Sequence, residues 1–570
     1  MAALVRNDSR IILHLVILPT LTGHLLTNHI QDYDCFYASV FEVERPELRS
    51  LPLAVQQKQI VVTCNYEARR RGLHKLQLIK DAKRICPDVV IVLGEDLTKF
   101  RDASKELYVL VRSFVWGGRV EKLGFDELFL DATEMIDYNT AVLNQNDLAN
   151  SYFHLDRNDP TAGFSYDATR FQGSTFPAAE AASITEKEPS SLEMRLLVAS
   201  HLQGHIRSKL EHEIGFTATG GISTSKMLAK LVGNVHKPNG QTTLLPPYTA
   251  TANNTSNVFH FLDDHEIRKI PGIGSRIAQK LKSHITGQES VDEKITVKGV
   301  RQFPGMGPPL LDRILGGPGS VKGIGMRMWS ILHGIDNSEV LEGRDVPTQI
   351  SIEDSYGRLD TLESVRRELV VLSRSLIRRV RTDLLDMSDD NVPQGRWRAH
   401  PRTVRLSTRP RPPSDLGGGR TYSSNRISRS APLPPFIFNL EENIDALAER
   451  LVRESVFSMF RKLHPEKTGW NLSLLNVAVT NMVETAGDQK QNSGRDIGKM
   501  FRQQETVLKD WTVQEPESSA EQLPGSPEIQ SQSDDGWDDD EPLGNVDCPI
   551  CGVSMPYFAQ LAHQIYHSEQ

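Results

Sequence analysis

Cysteine is scarce in this chain, with 5 in 570 residues. Cys35, Cys64 and Cys86 are scattered, and Cys548 and Cys551 form a close pair. That usage excludes a disulfide scaffold and suits a reducing compartment. Long apolar runs are also missing. The run Ile11–Leu18 contains His14 and is too short to span a bilayer, and it lacks the cleavage site of a leader. It reads as a buried strand, and no membrane partner is expected. Basic residues are absent beyond Lys509, while residues 510–570 hold 13 Asp and Glu. The net charge of −8 argues against a polyanion partner, but its distribution reverses that reading. Residues 1–509 carry all 65 basic residues and 60 of the 73 acidic ones. A mildly basic body with an acidic tail suits a nucleic-acid-binding enzyme with an appended regulatory segment.

Strand and helix patterns alternate through the first half, which predicts α+β or α/β architecture in several domains. RIILHLV (10–16), IVVTC (60–64), VVIVL (89–93) and FDELFLD (125–131) read as strands. Residues 76–86, 98–114 and 192–214 read as helices. Residues 139–190, rich in Asn, Asp, Ser and Gly, read as an insertion. A Pro/Asn/Thr linker (246–257) precedes a small helical module to about 338, and residues 339–347 form a second linker. Residues 348–482 mix helices (361–385, 441–463) with strands (402–409, 470–479). Residues 410–434 read as a mobile loop, and 483–545 as a polar, disordered tail.

Two carboxylates, Asp32 and Asp34, follow a strand-like region, and Asp126 and Glu127 lie in another. Phosphoryl or nucleotidyl transfer with two Mg²⁺ needs converging carboxylates, because the ions neutralise triphosphate charge and activate a hydroxyl. Acidic pairs alone more often mark a solvated face. The context decides: DCFYASV, then VVTCNYEARRRGL, then GFDELFLD. Over most of residues 10–482 this order resembles the Y-family DNA polymerases, with QQKQIVVTCNYEARRRGLHKL and GEDLTKFR similar to the iota branch.

The resemblance implies a right-hand polymerase: palm (1–36 and 99–245), fingers (37–98), thumb (246–338) and little finger (348–482). It implies template-directed, low-fidelity translesion synthesis on primer–template DNA with dNTP substrates, in the nucleus. The metal ligands would be Asp32, Asp126, Glu127 and the Tyr33 carbonyl, holding Mg²⁺ or Mn²⁺; Asp34 matches a recurrent residue that is not a ligand. Tyr37 would be the steric gate that excludes a ribose 2′-hydroxyl. Tyr66, Arg69 and Lys237 would grip the triphosphate, a role for which a phenol and a bidentate guanidinium are chemically suited. Gln57, Lys58, Ile60 and Thr63 would cover the incoming base pair. Arg70 and Arg71 read as a solvated face.

IPGIG (270–274) looks like a helix-hairpin-helix turn, in which Gly272 and Gly274 let backbone N–H groups approach a phosphate. KGIGMRMWSIL (322–332) is a weaker second example. Residues 396–429 hold nine Arg and one Asp. Arg402, Arg405 and Arg409 flank the run TVRLST, either as a stripe for duplex backbone or as a generic basic surface.

In the tail, Cys548, Cys551, His563 and His567 have the C-x₂-C-x₁₁-H-x₃-H spacing of a structural Zn²⁺ site. Residues 546–570 resemble the ubiquitin-binding finger of the eta branch, with Ile565 in place of an acidic residue of its ubiquitin face. Ile497, Met500 and Phe501 resemble a degenerate sliding-clamp peptide, or form a stray amphipathic turn. The implied partners are a sliding clamp and ubiquitin or ubiquitylated clamp.

One feature departs from the family. There the buried strand runs directly into the catalytic Asp; here residues 16–31 intervene between RIILHL and DYDCFY. They are either a retained in-frame intron or a real insertion, and transcript sequencing across them separates the two. The departure sustains a second function, a catalytically weak scaffold that recruits repair factors through its tail. A two-metal nuclease explains neither NYEAR nor the Tyr37 gate.

Overall fold

The computed structural model describes residues 5–18, 35–178, 190–250, 256–287, 294–317, 320–344, 346–357, 359–386, 395–410, 426–466, 470–485, 545–547 and 554–556. The chain divides into two units, Met1–Thr485 and Ala486–Gln570.

Strand β1 (Ile12–Leu18) is buried along its whole length. His14 is its one polar residue, so neither face can turn to water and the strand takes neighbours on both sides. Helix α1 (Phe36–Glu44) is followed by the hairpin of β2 (Leu53–Gln57) and β3 (Ile60–Cys64). Asn65 caps helix α2 (Tyr66–Arg70), its side chain accepting from the Ala68 N–H. Helix α3 (Ile79–Ile85) and strand β4 (Val90–Leu93) complete a lobe whose three-stranded sheet runs β3-β2-β4.

Helix α4 (Thr98–Ser113) turns Phe100, Leu107 and Val111 inward. It leads to the hairpin of β5 (Val120–Leu123) and β6 (Glu127–Asp131) and then to α5 (Thr133–Ala141). A second hairpin, β7 (Ser151–His154) and β8 (Gly163–Tyr166), precedes β9 (Ser174–Phe176). Helix α6 (Ser191–Lys209) covers the sheet, followed by β10 (Thr217–Ser223), α7 (Lys226–Val232) and β11 (Gln241–Leu244). The six-stranded sheet has the order β5-β6-β1-β10-β11-β9, with β1 antiparallel to both β6 and β10. Helix α7 packs so close to β10 that a Cβ on Gly221 would lie 2.0 Å from the Ala229 carbonyl oxygen. Only glycine permits that approach.

One expectation changes here. Residues 139–190 are not wholly an insertion: Asn139–Ala141 end α5, and β9 is the edge strand beside β11. Only the β7–β8 hairpin forms a separate two-stranded sheet. Strands of three or four residues have too few alternations to be read as periodic. The buried-strand reading of Ile11–Leu18 holds, with Val16, Ile17 and Leu18 continuing β1 and pairing with Thr219, Ala218 and Thr217. Residues 19–31 lie outside the described residues.

Helices α8 (Asn257–Asp263), α9 (Ser275–Thr286), α10 (Val297–Arg301), α11 (Pro308–Leu315) and α12 (Ile324–Leu332) form the helical module. The segment after it is docked. Val340 packs with Ile12, Phe129 and Ala229, and the Leu341 N–H donates to Glu121 at 2.9 Å.

The last large lobe contains β12 (Gln349–Ser355), α13 (Leu362–Leu384), β13 (Leu385–Asp386), β14 (Arg396–Trp397), β15 (Ala399–Pro410), β16 (Ile427–Pro432), α14 (Ile444–Leu451), α15 (Phe457–Leu463) and β17 (Leu472–Glu484). Its sheet runs β12-β17-β15-β16, antiparallel throughout. Val365, Leu369, Leu372, Leu376 and Val380 lie on one stripe of α13 and seal one face of that sheet with a core of their own. The predicted loop 410–434 thus contains a strand, β16, while residues 411–425 lie outside the described residues. In the second unit, β18 (Asn545–Asp547) pairs antiparallel with β19 (Ser554–Pro556). Among the described residues no helix is long and apolar enough to cross a membrane.

Candidate active site and nucleic-acid face

The β5–β6 hairpin carries the carboxylates. Asp126 ends its turn and Glu127 opens β6. The turn is pinned from two sides: the Ser104 hydroxyl of α4 donates to the Phe125 carbonyl, and the Ile17 N–H of β1 donates to the Asp126 carbonyl at 2.9 Å. The register places Val16 opposite Glu127 and His14 opposite Phe129. His14 Nε2 lies 2.7 Å from Glu127 Oε1, and Lys230 of α7 reaches the same oxygen. Burial acts to raise the Glu127 carboxyl. The hydrogen bonds and charge of His14 and Lys230 outweigh it and hold the group well below the usual carboxylate range. Burial lowers the His14 pKa against the pull of Glu127, and the nearby Lys230 and Lys237 push the same way.

Adjacent hard oxygen donors, one of them held anionic, fit Mg²⁺ or Mn²⁺. Asp32, Tyr33 and Asp34 lie outside the described residues, as do Cys548, Cys551, His563, His567, Ile565, Ile497, Met500 and Phe501. Among the described residues no group of three or more His, Cys, Asp and Glu stands together.

Tyr37, on the first turn of α1, stacks on Phe100 with ring centroids 4.1 Å apart and lies 5.9 Å from the Phe125 ring. Burial, then the charge of Asp126, raises its phenol pKa. The aromatic is therefore beside the carboxylate hairpin. On α2, the Arg69 guanidinium lies 5.4 Å from the Tyr66 ring centroid, and the two are three residues apart on one helix face. Arg69 also lies near Cys35, just before α1, so that face looks toward the same region. Lys237 follows α7 and is half-buried.

The predicted base-pair cover is less uniform. Ile60 opens β3, Thr63 is buried within it, and Gln57 donates to the Gly94 carbonyl at 2.6 Å. Lys58 sits in the turn with φ 52° and reaches Asp354 and the Ser355 carbonyl of β12, its Nζ 5.7 Å from the Tyr356 ring. Of the four, Thr63 is buried, Gln57 and Ile60 are half-buried and Lys58 is exposed. Arg70 and Arg71 pair with Glu67, and Arg71 also with Asp88.

Asn65, 1% exposed, uses its whole amide. Its Oδ1 accepts from the N–H groups of Leu53 at 3.0 Å and Ala68 at 2.9 Å, while Nδ2 donates to the Leu51 carbonyl at 2.8 Å and Glu42 Oε1 at 2.9 Å. It therefore ties α1, the entry to β2 and α2 together. Burial pushes the Glu42 carboxyl up to about 7, against the hydrogen bond from Asn65 and the charge of Arg49. A raised acid pKa contributes stability that is complete below the unfolded pKa and is lost as pH rises through 7. Glu42→Gln should therefore stabilise the protein by about 2 kcal/mol at pH 8 and by almost nothing at pH 4. Denaturant melts at the two pH values check this, and equal effects at both would contradict it.

The helical module supplies a turn with Gly272 at φ 90° and with Gly274 at the start of α9. Ile270 and Ile273 anchor the turn in the core, and a Cβ on Gly274 would meet nothing within 4 Å. In the last lobe, Val404 and Leu406 point into the core, so by strand alternation Thr403, Arg405, Ser407 and Arg409 share the opposite face. Their cross-strand partners include Ser428, Ser430, Asn476 and Ala478. Arg405 Nε lies 3.2 Å from Ser430 Oγ and Arg409 Nε 3.3 Å from Ser473 Oγ. Arg402 has the other parity and is exposed near the start of the strand. The predicted three-arginine stripe is corrected to a pair, because a period of two separates position 402 from 405 and 409.

Sequence reasoning missed His14, Glu42, Asn65, Lys230 and the Ser/Asn content of the sheet face. Three of these left signals: a lone His in an apolar run, a Glu within FYASVFEVE, and an Asn immediately before a short helix.

Residues 31–234 match the impB/mucB/samB family and residues 347–493 match the impB/mucB/samB family C-terminal domain. The first match begins beyond β1. The chain is 32% identical over 457 residues to DNA polymerase iota of Homo sapiens, covering 79% of this chain and 51% of that protein. It is 37% identical over 247 residues to DNA polymerase iota of Drosophila melanogaster, covering 43% and 29%. It is 24% identical over 356 residues to DNA polymerase IV of Pasteurella multocida, covering 62% and 76%. The chain thus spans about half the length of the human relative it matches.

Proposed function

This chain belongs to the impB/mucB/samB family, the Y family of DNA polymerases, and from that premise we propose that it performs template-directed, low-fidelity translesion DNA synthesis. The observation that carries the proposal is the pinned hairpin with Asp126 and Glu127 beside the Tyr37 ring. Asp126 and Glu127, with Asp32 and the Tyr33 carbonyl, would hold Mg²⁺ or Mn²⁺. Bound metal supplies charge neutralisation of the triphosphate and activation of a 3′-hydroxyl. Tyr37 offers a flat ring against the sugar, where an added hydroxyl has no room. Tyr66 and Arg69 donate to phosphate oxygens from α2, and Lys237 adds a second cation. Residues 37–98 act as fingers, 1–36 with 99–245 as palm, 246–338 as thumb and 348–482 as little finger.

Gly272, Gly274, Arg405 and Arg409 grip the DNA backbone without reading sequence. Arg405→Ala with Arg409→Ala should weaken any primer–template similarly and lower the salt slope of binding by roughly 2, since each phosphate contact contributes about 0.9. Arg402→Ala should add a separate, smaller effect. Binding isotherms at several salt concentrations test this; a sequence-selective loss with an unchanged slope would contradict backbone contact.

The tail reading extends the proposal: zinc on Cys548, Cys551, His563 and His567, a clamp peptide at Ile497, Met500 and Phe501, and ubiquitin on the finger despite Ile565. Two weak sites on one tether would act by avidity on a ubiquitylated clamp in the nucleus. Labelled ubiquitin titrated into the zinc-loaded protein tests the finger.

One observation favours the scaffold reading instead. Strand β1 continues as Val16–Leu18 where its register faces Glu127, so Asp32 does not follow Leu15 directly. Primer extension by this chain, set beside the same chain lacking residues 16–31, separates the two. Extension by the full chain supports the polymerase. Extension by the shortened chain alone assigns the weakness to those residues, and extension by neither leaves the scaffold.

A further inference from the structure

We propose that His14 is a positioning residue for Glu127, fixing one carboxylate oxygen so that the other is presented to the divalent cation. The inference rests on reading Asp126 and Glu127 as metal ligands. It starts from a broken pattern. Strand β1 is buried at every position and apolar at every position except His14, which is 1% exposed. An apolar residue would pack there at no polar cost, and such local violations collect at functional sites.

The imidazole makes a single side-chain hydrogen bond, from Nε2 to Glu127 Oε1 at 2.7 Å. A carboxylate only accepts, so Nε2 carries the proton and Nδ1 is left bare. Nδ1 is buried with no hydrogen-bond partner among the described residues. A buried acceptor without a partner destabilises the fold, so the histidine is tolerated at this position only for what Nε2 does. The ring is held for that task. Its centroid lies 4.8 Å from the Phe129 ring, and the His14 carbonyl accepts from Gln203 Nε2 at 2.9 Å. Lys230 arrives from α7 on the same oxygen, Oε1. Donors from a strand and from a helix thus converge on one carboxylate oxygen, and neither of these contacts engages Oε2. A ligating carboxylate oriented by outer hydrogen bonds coordinates more tightly than one left to rotate, by 10–100-fold in typical metal sites.

The test uses the full chain with a primer–template and a non-hydrolysable dNTP analogue, and measures Mn²⁺ binding by electron paramagnetic resonance of the free ion. His14→Phe keeps bulk and removes the donor; it should weaken Mn²⁺ binding by about 10–100-fold. His14→Gln carries an amide nitrogen the same number of bonds from the backbone as Nε2, and should restore binding to within about threefold of the parent. Glu127→Ala separates the two levels of the argument. Unchanged Mn²⁺ binding in Glu127→Ala overturns the ligand reading and the role of His14 with it. Weakened binding in Glu127→Ala, with His14→Phe equal to the parent or to His14→Gln, overturns only the role of His14. Should His14→Phe fail to fold, His14→Asn replaces it, because its amide reaches only the Nδ1 position. Loss in Asn with retention in Gln supports the inference, and equal behaviour of the two contradicts it.

Discussion

Replacing Asp126 and Glu127 together by Ala should lower nucleotide incorporation by roughly 1,000-fold or more, because metal stabilisation of the transition state is worth several kcal/mol and each 1.36 kcal/mol is about a factor of ten. DNA affinity should change by less than about twofold, since under the proposed function the Gly272–Gly274 turn and the Arg405/Arg409 face would supply backbone binding through separate lobes. The hairpin that holds the carboxylates is fastened by the Ser104 hydroxyl on the Phe125 carbonyl and by the Ile17 N–H on the Asp126 carbonyl. Neither contact uses the Asp126 or Glu127 side chain; Glu127 does accept from His14 and Lys230, so a thermal melt of the double variant accompanies the assay. Single-turnover incorporation and fluorescence anisotropy on the same primer–template measure the two effects. Near-parental incorporation would remove the metal assignment. A parallel collapse of DNA affinity would mean that the hairpin had unfolded or that these residues face the duplex.

Tyr37→Ala should raise the use of ribonucleotides relative to deoxyribonucleotides by roughly tenfold to a hundredfold. Forcing an extra atom into a packed site costs about 1–3 kcal/mol, and that cost disappears with the ring. The ring is held for this by stacking on Phe100 at 4.1 Å, with the buried Phe36 and the half-buried Phe125 beside it. Tyr37→Phe should retain discrimination, because the obstacle is the ring and not the hydroxyl. Competition between paired ribo- and deoxyribonucleotides decides the matter. Unchanged selectivity in Tyr37→Ala would place the gate on another residue.

Much of this arrangement was legible from residue order because its parts are local. FDELFLD reads as a strand, NYEAR as a short helix, and IPGIG as a glycine turn before a helix, each within a few residues. The elements with long apolar periods, α4, α6 and α13, were legible for the same reason. What could not be read depends on register and on distant partners. That His14 meets Glu127 follows from antiparallel pairing across more than a hundred residues. That Glu42 meets Asn65 follows from the packing of α1 on the small lobe. The split between Arg402 and the Arg405/Arg409 pair follows from the strict alternation of β15. Strand β9 escaped because three residues carry no period.

The central claim is metal-dependent, template-directed nucleotidyl transfer by this chain. Single-nucleotide incorporation, with each dNTP supplied separately opposite each of the four template bases in Mg²⁺ or Mn²⁺, tests it most directly. The account predicts primer extension whose preferred nucleotide changes with the template base, which vanishes on chelation and which Asp126→Ala with Glu127→Ala abolishes. A folded protein that binds primer–template yet adds no nucleotide under any of these conditions, or adds the same one opposite every base, would contradict it.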